Sequence, residues 1–328
     1  MNKSLTPFLS EIIDYAGLYP PASLPLNEAF NKYIEHSSSK ESWMLSKFVV
    51  GTNRLDDLIG LINNSDKAPQ PFDLTVVAAP STNAEEFRTV VSKTKEQILS
   101  IQEKSNKLIK ALSLEIKLPS ELTYDEAELL SLIDLTVSSM NSASELPEQV
   151  IFEIPGFEFL PSRIEPLTRA ISTHNEESEK NELANYLYSG FKIRCGGVEA
   201  FQFPPISYLT TAIHIATINN TPTKFTAGLH HPIRHFNDSV QTKMHGFLNV
   251  FGASILARAG QLSENEIHEM IADEDADNFA FSEDAFQWKS HSVEMDQIQK
   301  LRTLSVTSFG SCSFDEPVED LQELNLLT

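Results

Sequence analysis

Cysteine is scarce: Cys195 and Cys312 are the only two among 328 residues. Two thiols build no disulfide framework, so the core must hold the fold, and a reducing compartment, the cytoplasm, is the expected location. Positive charge is also short. Lys and Arg number 25 against 46 Asp and Glu, a net charge of −21. That argues against nucleic acid, which needs a basic face, and against adsorption to anionic lipid. No run reaches 18 apolar residues, and Met1-Asn2-Lys3-Ser4-Leu5-Thr6 leads into mixed polar sequence. Neither a membrane span nor a signal peptide is therefore expected. No Gly-x-Gly-x-x-Gly or His-x-His follows the first candidate strand, and His-Glu-x-x-His is absent throughout. Their absence weighs against a dinucleotide fold and against two common metal-hydrolase designs.

What is present is a repeating punctuation. Apolar or β-branched runs at 44–50, 73–79, 111–118, 150–154, 191–195 and 223–227 each end at glycine or proline. Helical stretches follow, at 83–104, 124–138, 206–219 and 244–259, the last apolar almost all round. Strand–helix alternation of this kind implies a parallel sheet covered by helices. Residues 12–18 with a helix at 27–36, and residues 304–309 with a helix at 316–326 capped by Asp315, bring the count to eight units. Eight units close a (βα)8 barrel, and 1–328 is read as one such domain, with an open parallel sheet as the alternative. Residues 261–302 do not fit the repeat. They carry an acidic run, Asp273–Asp277, then Phe279-Ala280-Phe281 and Ala285-Phe286-Gln287-Trp288, read as a β-hairpin in an insertion that also holds a helix. Segments 63–70 and 174–180 read as polar loops or helix termini.

Side chains alternate along a strand. If the apolar set faces the helices, Glu115, Lys117, Glu153, Lys192, Arg194, Lys224 and Thr226 point into the barrel. Four cations against two carboxylates then leave a surplus of two positive charges inside a strongly acidic chain. Such charge is costly unless paired or used. It is either an internal salt-bridge network or a site for a small anionic, carbonyl-bearing metabolite at the C-terminal strand ends, where barrel active sites lie. Asp14 joins it if 12–18 is strand one.

The segment Gly228-Leu229-His230-His231-Pro232-Ile233-Arg234-His235 follows the seventh strand, and His245 and Asn249 share a helix face behind it. His230 and Arg234 are candidate substrate-positioning groups. Gly310-Ser311-Cys312-Ser313 follows the eighth strand, where barrels often bind phosphate; amides near Gly310 and Ser311 would hold an anion with Arg234. Three chemistries compete with a non-catalytic ligand- or partner-binding barrel. A lysine amine can form a Schiff base if burial and cationic neighbours depress its pKa. His230, His235 and His245 with Glu153 can form a divalent-metal shell, the alternative to a cofactor-free site. Cys312 can act as a nucleophile if His230 or His235 lies beside it, whereas Cys195 falls on the helix-facing parity and reads as a core thiol.

Lys192-Ile193-Arg194-Cys195-Gly196 and Lys224-Phe225-Thr226-Ala227-Gly228 share the pattern Lys-x-x-x-Gly, 32 residues apart. In spacing and strand order they resemble the lysine pair that deoxyribose-phosphate aldolase and related class I aldolases carry on barrel strands six and seven. Ile193-Arg194 stand where those aldolases have small hydroxyl residues. The resemblance implies a Schiff-base lyase, with Lys192 as the amine and Lys224 and Arg194 lowering its pKa or binding the anion. Glu153 would be the general acid–base. Ile13-Asp14-Tyr15-Ala16-Gly17-Leu18, Gly228-Leu229-His230-His231-Pro232 and Phe309-Gly310-Ser311-Cys312-Ser313-Phe314 together resemble an uncharacterised bacterial family, which implies no activity. A homo-oligomer is compatible with this reading.

Overall fold

The structure, a computed structural model, describes residues 3–63, 71–105, 108–140, 147–180 and 188–327. Seven parallel strands come first: β1 Ile13–Tyr15, β2 Leu45–Gly51, β3 Phe72–Val77, β4 Ile109–Lys117, β5 Gln149–Glu153, β6 Tyr188–Arg194 and β7 Thr223–Thr226. A small hairpin, β8 His235–Asn237 and β9 Thr242–Met244, follows β7. Then come β10 Phe279–Phe281, β11 Ala285–Trp288 and β12 His291–Glu294, an antiparallel three-stranded sheet. The last strand, β13 Val306–Ser311, pairs in parallel with both β7 and β1 and closes the barrel. The fold is thus a (βα)8 barrel, as the eight-unit count implied, and not the open sheet.

The elements form for readable reasons. In β5, Val150 and Phe152 are wholly buried toward the helices while Ile151 and Glu153 point inward. Asn83 starts the helix Ala84–Lys104 by accepting the amides of Glu85 and Glu86 at 3.1 and 3.0 Å. That helix buries Phe87, Val91, Thr94, Ile98 and Ile101, one stripe at helical spacing. The expected all-round apolar helix is Phe247–Arg258, buried on nearly every side because the insertion covers its outer face.

The expected hairpin in 261–302 gains a third strand, and helices Glu264–Ala272 and Met295–Leu304 flank the sheet. Trp288, 1% exposed, donates Nε1–H to Asp273 at 2.8 Å, and Asn249 donates to the carbonyls of Met270 and Asp273. The acidic run therefore helps fasten the insertion to the barrel. Residues 174–180 are the last turns of a helix, Ile164–Lys180, with His174 buried and 2.6 Å from Asp134. Of the other polar segment, residues 64–70 lie outside the described residues. Among the described residues no helix is long and apolar enough to cross a membrane.

Candidate active site at the C-terminal mouth

Register assembles the ionic residues. Lys117 is the Cα partner of Glu153, Glu153 of Lys192, and Lys192 of Lys224, across four successive strands. Their side chains meet inside the barrel as a branched chain of ion pairs. Lys192 lies 2.6 Å from Glu115 and 2.9 Å from Glu153. Lys224 lies 2.7 Å from Glu115 and also contacts Asp14. Glu153 accepts from Arg194 at 3.1 Å and lies 3.8 Å from Lys117. Asp14, fully buried on β1, is a full member and accepts the Thr75 hydroxyl at 3.0 Å. With Asp14 counted, four cations face three carboxylates, so the surplus is one positive charge rather than two.

The protonation states run against one expectation. Burial pushes the Lys192 ammonium toward neutrality, but Glu115 and Glu153 outweigh it, and its pKa is raised. Lys224 behaves the same way between Asp14 and Glu115. The anticipated depression by cationic neighbours is reversed because each lysine touches two carboxylates. Burial likewise pushes Glu115 and Glu153 up, yet the surrounding cations hold both down to about 2. Lys117 differs. Glu153 pulls its pKa upward, but partial burial together with Arg194 and Lys192 leaves it lowered.

A cavity of about 310 Å³ opens above this network. Glu115, Lys117, Glu153, Lys192, Arg194, Thr226, His230 and Gly310 line it, with Tyr19, Phe157 and Cys312. Arg194 lies over the Phe157 ring at 5.1 Å, so its guanidinium is braced from the apolar side. Lys224, only 1% exposed, sits beneath the wall rather than on it. Arg234 is turned away: its amide is held by Asn249 at 2.9 Å, and its guanidinium meets His245 at 2.9 Å. Gly310 lies within β13, not at the start of a loop, and its carbonyl accepts from Ala227. Ser311, the last residue of β13, is buried, and its hydroxyl caps the amide of Ser313 at 3.3 Å.

The histidines disperse onto separate partners. His230 Nδ1 is 2.9 Å from Glu316, and its Nε2 is 3.9 Å from the Cys312 sulfur. Burial lowers the His230 pKa, but Cys312 and Glu316 raise it overall to about 9. His235 bonds the Ile233 carbonyl. His245, depressed to about 4 by burial and Arg234, bridges Arg234 and the Pro204 carbonyl. Glu153, the carboxylate of the anticipated metal shell, is engaged by Lys192, Arg194 and Lys117. Among the described residues no group of three or more His, Cys, Asp or Glu is placed to hold a metal ion.

The repeated Lys-x-x-x-Gly pattern has a steric reason at its glycine end. A Cβ on Gly196 would lie 2.9 Å from the Gly228 Cα, and one on Gly228 would lie 2.7 Å from the Gly196 Cα. Gly228 also has φ +68°, a conformation that suits glycine. Gly228→Ala is expected to cost about 1–3 kcal/mol and to push the β6 and β7 ends apart. Gly60→Ala, in open space on the helix Leu55–Asn63, should instead be neutral or gain up to about 1 kcal/mol. Thermal denaturation of the two variants checks both.

Tyr19, Phe157 and Gln202 line the mouth but were not singled out from sequence. The signal was position: Tyr19 and Phe157 lie in the loops that leave β1 and β5, each four residues past the strand end, where βα loops carry function. A larger cavity of about 550 Å³ lies at the other end, among Ser10, Lys47, Arg302 and Thr307. Its Arg302 is spent on the carbonyls of Phe8, Ser10, Val306 and Thr307, so that end reads as structural. No protein-family model matches the chain, and a search of curated proteins finds no match either.

Proposed function

We propose that this barrel is an enzyme whose substrate is a small anion bearing a carbonyl group, and that a lysine at the mouth forms a Schiff base with it. The observation that supports this reading is the one-charge surplus of cations converging beneath a cavity at the catalytic end of the fold. An anionic group seated on Arg194 and Lys117 competes with Glu153 for those cations. Glu153 then binds a proton more readily, and it lies 2.9 Å from Lys192. Proton transfer from Lys192 to Glu153 or Glu115 frees the amine. The amine nitrogen bonds the carbonyl carbon, and the oxygen leaves as water. Tyr19, whose phenol burial pushes up, stays a neutral donor at the rim.

A second assignment within the same reading rests on Lys117. Its side chain is 39% exposed, it is the one mouth lysine with a lowered pKa, and its contact with Glu153 is long. Borohydride reduction with a panel of aldehydes, keto acids and sugar phosphates, followed by intact and peptide mass analysis, tests both. An adduct on Lys192 supports the first assignment and one on Lys117 the second. No adduct across the panel, with anion binding still measurable, would leave a ligand-binding barrel.

A further inference from the structure

Cys312 follows β13 directly, and it lines the same cavity as Lys192 and Arg194. It is 9% exposed, so its sulfur is sheltered but reachable from the cavity. His230 lines that cavity too, on the loop after β7, with Nε2 turned to the sulfur at 3.9 Å. The other ring nitrogen is held by Glu316, which belongs to the helix Asp315–Glu323 beginning three residues after Cys312. Thiol, imidazole and orienting carboxylate thus stand in line, so that sulfur and ring can share one proton, the order that cysteine catalysis requires. Glu316 is itself held low by His230, so it remains a carboxylate able to fix the ring. The other thiol is a built-in contrast. Cys195, the residue after β6, is fully buried in the apolar core, and burial pushes it up.

We propose that Cys312, His230 and Glu316 form a second nucleophilic centre of this cavity, which adds to the carbonyl carbon of a small anionic aldehyde. The substrate class rests on the reading above, but the bond-forming atom is sulfur instead of nitrogen. The sulfur–carbon bond forms as the carbonyl π pair moves to oxygen. The proton that sulfur shares with the His230 ring passes to that oxygen, giving a neutral thiohemiacetal. Nothing else enters or leaves, and the addition reverses by the same path. Arg194 and Lys117, on the same cavity wall, are the groups that would take the carboxylate of the aldehyde.

Thiol labelling of the full chain with iodoacetamide, followed by peptide mass analysis, tests this without turnover. Cys312 should be alkylated at neutral pH and Cys195 should not. His230→Asn or His230→Gln should slow labelling about ten-fold or more, since a free thiol is only a few per cent ionised there. Glyoxylate, an anionic aldehyde, should protect Cys312, and the protection should vanish on dilution. Glycolate, the anion without the carbonyl, should protect weakly at equal concentration. Equal protection by both anions, or labelling indifferent to His230, overturns the proposal. The glyoxylate–glycolate comparison uses the unmutated protein, so a variant that fails to fold does not blunt it. A lysine adduct under borohydride with an inert Cys312 would sink this centre and leave the Schiff-base reading standing. A protected Cys312 with no lysine adduct would do the reverse.

Discussion

Glu115→Gln is expected to be the most damaging conservative substitution in the molecule, at about 3–5 kcal/mol. Glu115 is 4% exposed and is the bridge between Lys192 at 2.6 Å and Lys224 at 2.7 Å. Glutamine keeps the shape but removes the charge, so two buried ammonium groups lose a shared counter-ion. Lys192 keeps Glu153 and Lys224 keeps Asp14, but the buried positive charge left in excess is poorly compensated, which costs far more than the pair contributes over an apolar substitute. Lys117→Met is the control. Its side chain is partly exposed and its ion pair is long, so about 0–1 kcal/mol is expected. Adding Lys192→Met to Glu115→Gln should recover part of the loss, the signature of coupled neighbours. Urea denaturation of the set measures this. A Glu115→Gln cost below about 1 kcal/mol would mean that water reaches the network and that it does not organise the barrel.

Acid should unfold the protein steeply, and over a defined window. Glu115 and Glu153 sit at about 2 when folded, against an ordinary 4.5. A carboxylate with a depressed folded pKa binds fewer protons when folded than when unfolded. Its stabilisation is fully present above pH 4.5 and is lost as pH falls through about 2. Each contributes on the order of 3 kcal/mol at neutral pH. Asp14, also lowered, acts in the same direction. The surface works oppositely at first. A net charge of −21 repels itself, and partial protonation below neutrality relieves that repulsion. Melting temperature should therefore hold or rise slightly from pH 7 toward 5, then drop sharply between pH 4.5 and 2. A flat profile across the lower range would show that the interior carboxylates are not held by their cations.

The barrel was legible because its strands announce themselves twice, by alternation and by the glycine or proline that ends them. The same alternation turned Glu115, Lys117, Glu153, Lys192 and Lys224 to one side, and the interior meets them as a set. Charge bookkeeping was less legible. Asp14 lies 210 residues from Lys224, and only the contact between β1 and the interior gives that lysine its second carboxylate. For Lys192 the two carboxylates are Glu115 and Glu153, both on the inward parity, and only their approach to within 2.6 and 2.9 Å shows that they outweigh its cationic neighbours. Arg234 read as a mouth residue from its place after β7. The short polar hairpin β8–β9, which has no alternating apolar pattern, bends the chain so that Asn249 and His245 hold Arg234 elsewhere. The approach of Cys312 to His230 spans 82 residues, so sequence gave both residue types without their proximity.

Arg302 sets an order on how this molecule can be made. Its guanidinium grips the carbonyls of Phe8 and Ser10 on one side and of Val306 and Thr307 on the other. The seam that it clasps, β1 against β13, pairs Ile13 with Phe309 and Asp14 with Gly310. Contacts across nearly 300 residues form late, since the chain between them has to be ordered before they are rewarded. On a ribosome, β1 through β7 emerge while the gap between β1 and β7 is still open. Until β13 fills it, Asp14 and Lys224 sit on the two edges of an unclosed sheet. The nascent chain thus carries unpaired strand edges and part-built ionic groups up to its final strand, the interval in which it is most exposed to mispairing.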